Sequence, residues 1–132
     1  MSILDTISFG GHAHAEKEEA LIQYLNSIEK RISKNGHDLS VIEKYLAPGT
    51  SFYFCSKSDV YDPVYDLVSP DEDITYLEHE SSQICIISFE EDENLYDHAL
   101  MMVSAMERAV EEQNRHLPPE VNGFLLHVSA LI

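Results

Sequence analysis

Hydrophobic spacing divides the chain into helix-like and strand-like stretches. Leu21, Tyr24, Leu25, Ile28 and Ile32 recur at steps of three and four, which puts them on one face of a helix. Glu16, Glu18 and Glu19 cluster at the start of that stretch, Lys30, Arg31 and Lys34 at its end, and Gly36 follows. The order suits the helix dipole and the glycine is a natural stop, so a helix is predicted over about 15–34. A second stripe, Leu95, Ala99, Met102, Val103, Met106, Ala109 and Val110, predicts a helix over about 94–116. Glu90 to Glu93 lie at its positive end, and Pro118-Pro119 stops it. Ser40 and Glu43 have capping-box spacing and predict a short helix reaching about Leu46, which Pro48-Gly49 ends.

Other stretches read as strands. Residues Ile3 to Phe9 suit a short one, ended by Gly10-Gly11. Phe52 and Phe54 alternate with Tyr53 and Cys55, as on a strand covered at least partly on both faces. Ile74 to Leu77 and Gln83 to Phe89 flank a polar stretch, Glu78 to Ser82, and read as an antiparallel hairpin. The run Ile84-Cys85-Ile86-Ile87 marks the second of these as central. Phe124 to Ile132, after an Asn122-Gly123 turn, reads as a closing strand. Between Ser58 and Asp73, Pro63 rules out a central strand, so the segment is expected to be irregular, with a brief helix opened by Asp62-Pro63. These elements neither alternate strictly nor repeat. The expected fold is therefore α+β, one domain over residues 1–132, with a mostly antiparallel sheet of four to five strands packed by two long helices and one short one.

Charge changes the picture more than composition does. The 132 residues are 44% hydrophobic, as in an ordinary globular domain, yet 24 acids against 8 bases leave a net charge of -16. Thirteen of the acids fall between Ser58 and Met106, where there is no lysine or arginine. A surface of one sign repels phosphate, which argues against direct binding to nucleic acid or to an anionic membrane, and it attracts basic partners. The opening residues lack a basic segment and a long apolar core, and no run is long enough for a membrane span, so a cytoplasmic protein is expected. Cys55 and Cys85 each sit in an apolar run and read as two buried free thiols.

Candidate chemistry is sparse. His12 and His14 could face one metal ion from an extended segment, with Glu16 beside them, but nothing marks a further ligand. Glu78-His79-Glu80 has the residue types for acid–base work, yet on a strand its carboxylates point away from the imidazole. His98 falls outside the apolar stripe of its helix, and His127 is placed in the last strand. No nucleophile elbow, phosphate-binding glycine loop, cysteine pair or zinc-protease motif occurs, so no cofactor is expected and enzyme activity has no specific support.

The acidic stretch carries Tyr61, Tyr65, Tyr76 and Tyr96 among its carboxylates, and tyrosine is enriched at binding hot spots. The expected function is an acidic inhibitor that masks the basic, nucleic-acid-binding or nuclease surface of a protein or nucleoprotein partner. An immunity protein, or a phage-type anti-defence protein that mimics nucleic acid, would act in this way. The expected contact residues are Asp59, Tyr61, Asp62, Tyr65, Asp66, Asp71, Glu72 and Asp73, in the irregular segment. Two alternatives stand beside it. One is an acidic secretion chaperone for an effector protein, which would work as a homodimer. The other is a small metal-binding enzyme built on His12 and His14.

Overall fold

The computed structural model describes residues 2–11, 14–33 and 38–132. Its four strands are β1 (Ile7–Phe9), β2 (Thr50–Ser56), β3 (Ile74–His79) and β4 (Ser82–Phe89). The helices are α1 (Ala15–Ile32), α2 (Ser40–Glu43), α3 (Leu95–Asn114) and α4 (Pro119–Leu131). Together they form a single α+β domain. Both long helices expected from the periodicity are present, and α3 opens with a capping box in which Asn94 accepts from the Asp97 amide and Asp97 accepts from that of Asn94.

The sheet order is β1-β2-β4-β3. The mostly antiparallel arrangement expected from the sequence is met at the β3–β4 hairpin, whereas β1–β2 and β2–β4 pair in parallel. Parallel neighbours need a long crossover. Here α1 and α2 supply it between β1 and β2, and the acidic segment with β3 supplies it between β2 and β4.

Three further expectations change. Ile3–Thr6 is a 3-10 turn capped by Ser2, so the first strand is limited to three residues. Ser40 does not cap α2: its amide donates to Asp38, and Glu43 instead accepts from the Ile3 amide at 2.7 Å. Most importantly, the last segment is helix rather than strand. Pro119 occupies its first position, and Val121, Phe124, Leu125 and Val128 are buried at helical spacing while Leu126 and His127 face out. The apolar run was too continuous for periodicity to separate strand from helix. α4 packs on α1, α2 and α3, where a buried stripe suffices.

Register sorts the strand residues into two faces. Ile7, Phe52, Cys85 and Tyr76 form one row, and Phe9, Phe54, Ile87 and Ile74 the next. These rows meet the helices and belong to the hydrophobic core. On the opposite face lie Ser8, Tyr53, Ile86 and Thr75 in one row and Ser51, Ile84 and Leu77 in another. None of those residues joins the core cluster. Cys55 and Cys85 are buried and free, on opposite faces of the sheet. No described helix is long and apolar enough to cross a membrane.

Candidate acidic binding surface

The acidic segment between β2 and β3 folds over one end of the second sheet face, and Asp62 is its anchor. This carboxylate is only 8% exposed. It accepts from the Tyr53 hydroxyl at 2.8 Å and from the Val64 amide at 2.9 Å, the second bond turning the chain after Pro63. A 3-10 turn at Tyr65–Leu67 follows, in the region where a brief helix was expected. Burial, reinforced by the hydrogen bond to Asp62, pushes the Tyr53 phenol far above its ordinary pKa. Burial, with Asp62 and Asp59 adding, pushes the Cys55 thiol up to about 11, so it stays neutral. Gly10 closes the arrangement, because a Cβ there would collide with the Asp62 carboxylate and the Tyr53 hydroxyl.

This anchor is testable. Tyr53→Phe removes the donor and leaves a buried carboxylate short of a partner, which is expected to cost about 1–3 kcal/mol of stability. Gly10→Ala is expected to cost at least as much by the steric route. Urea unfolding of each variant measures both losses, and an unchanged midpoint for Tyr53→Phe would remove Asp62 from its anchoring role.

The other expected contact residues divide by what they already hold. Asp73 accepts from Lys57 at 2.9 Å, with Glu90 a further 3.6 Å partner of the same ammonium. The Asp59 carboxylate accepts from the Tyr61 amide at 3.3 Å and is half-buried. Asp66, Asp71 and Glu72 are exposed, and among the described residues their side chains make no hydrogen bond or ion pair. Tyr61 is 93% exposed, and Val60 and Leu67 in the same segment are 58% and 56% exposed. Tyr65 is half-buried. The segment thus brings seven of the eight expected residues to the surface or its margin, and keeps Asp62 inside.

Some of the other acids are engaged, although Asp92 in the same stretch also holds no hydrogen bond or ion pair among the described residues. Glu91 accepts from Ser56 at 2.6 Å, which lowers its pKa, and lies 3.5 Å from Lys17 and 3.6 Å from His14. Tyr76 donates to Glu78 at 2.9 Å. His79 and Glu80 are exposed at the hairpin tip, where Glu80 adopts a left-handed φ of 54°. The hairpin therefore presents no acid–base pair shielded from water.

The histidines fall differently from expectation. His98 is 2% exposed, not outside the stripe: it packs edge-on against Phe9, Phe54 and Phe89 at centroid distances of 5.7, 5.9 and 5.2 Å. It stands three residues after Leu95 and four before Met102, so the buried face of α3 is wider than the apolar residues alone suggest. His14 is also buried, edge-on to Phe89 at 5.2 Å. His12, the other half of the metal reading, lies outside the described residues, and among the described residues no group of three His, Cys, Asp or Glu is placed to hold a metal ion.

Burial, with Lys17 adding to it, lowers the His98 pKa below its ordinary value, against a smaller upward pull from Asp97. The unfolded chain therefore binds a proton at this residue at a pH where the folded chain still refuses it. Stability from this group is fully present above about pH 6.5 and is lost as pH falls below that value, by up to about 1.4 kcal/mol per unit. Wild type is accordingly expected to lose stability relative to His98→Leu between pH 7.5 and 5. Chemical unfolding across that range checks it, and a constant gap between the two proteins would show that folded His98 protonates freely.

Comparison with known proteins yields no relative: no family model, curated protein or solved structure matches the chain. The functional reading rests on the surface itself.

Proposed function

We propose that this is a cytoplasmic acidic binding protein that masks a basic surface of a protein or nucleoprotein partner, as an immunity protein or a nucleic-acid-mimicking anti-defence protein does. One observation carries the reading: Tyr61, the most exposed large side chain of the segment, stands close in sequence to carboxylates that the fold does not use, Asp66, Asp71 and Glu72. An exposed tyrosine with apolar neighbours is costly to leave in water and serves as a hot-spot anchor. Uncommitted carboxylates in the same segment select a basic partner and repel an acidic one. The mechanism is stoichiometric occlusion, with association steered by charge and slowed by salt. No bond in a substrate is made or broken.

A specific observation keeps the chaperone reading second. Leu77 and Ile84 are half-buried on the sheet face that no core helix covers, and an extended effector segment would lie across them.

The experiment is capture of partners from a lysate of the native host by the tagged protein, washed at low salt and at about 0.5 M, where the screening length is only about 4 Å. A basic protein or nucleoprotein complex released by salt supports masking. An effector retained through the high-salt wash supports the chaperone, and no specific partner at either salt rejects both.

A further inference from the structure

One edge of the sheet is closed and the other is open. On β1, Phe9 donates its amide to the Glu18 carboxylate at 2.8 Å, and Ile7 donates to Leu4 in the turn before it. These are the amides of β1 that face away from β2, since Gly10 bonds back to Phe54. On β3 the outward groups have no such cover. The Ser88 amide donates to the Asp73 carbonyl at 2.7 Å, so by alternation Thr75, Leu77 and His79 bond inward to β4. The amides and carbonyls of Ile74, Tyr76 and Glu78 then point out of the sheet, and among the described residues none has a partner. The strand also lacks what keeps an edge from pairing. It contains no lysine or proline, and its six successive pairs with β4 run without a bulge.

We infer that β3 accepts an extended basic segment of the partner as a fifth strand. The inference rests on the masking reading and names the form in which the partner binds. An added strand supplies hydrogen bonds to the open backbone groups whatever its sequence, so charge selects which strand comes. Residues 71–80 hold five acids and no lysine or arginine. Glu78 stands on the edge strand itself. Asp73, next to the first residue of β3, lines a cleft of about 350 Å³ with Glu93, Asp97, Leu100 and Met101. The bases close by are committed, Lys57 to Asp73 and Arg108 to Glu112. A second copy of this chain would bring a further -16 and set its own acids against these.

The pleat fixes the pattern of the incoming segment. In an antiparallel addition, residues opposite Tyr76 and Glu78 share the helix-facing side with Glu78, where a base forms a cross-strand pair. Residues opposite Thr75 and Leu77 lie on the other face, beside half-buried Leu77. Bases alternating with β-branched apolar residues suit this edge.

Three peptides test this on the whole isotope-labelled protein at low salt, with amide hydrogen exchange read by NMR. They are acetyl-Val-Lys-Val-Arg-Val-Lys-Val-amide, the same peptide with glutamate for each base, and the basic peptide N-methylated at its lysines and arginine. The basic peptide is expected to bind with a dissociation constant of about 0.1–1 mM and, near saturation, to slow exchange at Ile74, Tyr76 and Glu78 about tenfold. Thr75, Leu77 and His79, already bonded to β4, are expected to keep their rates. The N-methylated and acidic peptides are each expected to bind at least about tenfold more weakly, the first for want of donors and the second by charge. Glu78→Gln keeps an acceptor for the Tyr76 hydroxyl and is expected to weaken the basic peptide about two- to fivefold. Equal binding by the N-methylated or the acidic peptide would overturn the inference. So would protection of the three amides in the free protein that disappears on dilution, which would assign the edge to a second copy. If no peptide protects these amides while a basic partner is still captured in a salt-sensitive way, the edge is wrong and masking stands. If the basic peptide binds at β3 but the lysate holds no basic partner, the edge site stands and masking is wrong.

Discussion

Phe54→Ala is expected to lower the free energy of unfolding by about 3–5 kcal/mol. Phe54 is fully buried at the centre of the aromatic cluster that joins the sheet to α3. Its ring stacks on Phe9 at 4.3 Å with only 3° between the planes, and Phe89 approaches at 6.3 Å. Truncation removes the transfer free energy of the ring and leaves a void bounded by Phe9, Phe89 and His98, which cannot all close on it. A domain of this size is stable by only about 5–15 kcal/mol, so the variant would stand near the edge of folding. Urea unfolding is the check, with the midpoint expected to fall at an unchanged slope. A loss under about 1 kcal/mol would mean that the aromatic cluster is not what holds β1 to the rest of the sheet.

The second large effect concerns association rather than folding. Reversing Asp66, Asp71 and Glu72 together to lysine is expected to slow association with a captured basic partner by about 10- to 1000-fold at low salt. The choice follows from the structure: these three side chains are exposed and hold no partner among the described residues. Asp62 and Asp73 are left alone because Tyr53 and Lys57 use them, and reversing either would mix a folding defect with a binding one. The triple variant should therefore unfold at nearly the wild-type temperature. Its association deficit should shrink at about 0.5 M salt, where exposed charges are screened beyond about 4 Å. Association rates measured at both salts decide the matter. A deficit that is absent, or that persists undiminished at high salt, would show that the segment does not steer the encounter.

Sequence alone determined the elements whose signal is local. The stripe from Leu21 to Ile32 and the one from Leu95 to Val110 each became a helix, because a 3.6-residue period is written into neighbouring positions. The β3–β4 hairpin and the buried strand at Phe52 and Phe54 were legible for the same reason, with a period of two. So was the acidic segment, since charge is counted directly from the residues.

Tertiary structure decided what depends on distant partners. The direction of β1 against β2 was set by where α1 returned the chain, which no property of either strand encodes. The helical state of α4 was set by the groove that α1, α2 and α3 present, since its apolar run suits strand and helix equally. His98 was drawn inside by three phenylalanines far away in sequence or on other elements. The acids show the division most clearly. Asp62 and Asp66 carry the same side chain, four residues apart in echoing Val-Tyr-Asp triplets. One meets Tyr53 and the space left by Gly10 and becomes a buried anchor, while the other stays exposed and holds no hydrogen bond or ion pair among the described residues. Composition sets how much charge the chain carries; packing sets which of it is already spoken for, because a carboxylate is kept inside only where a donor waits for it.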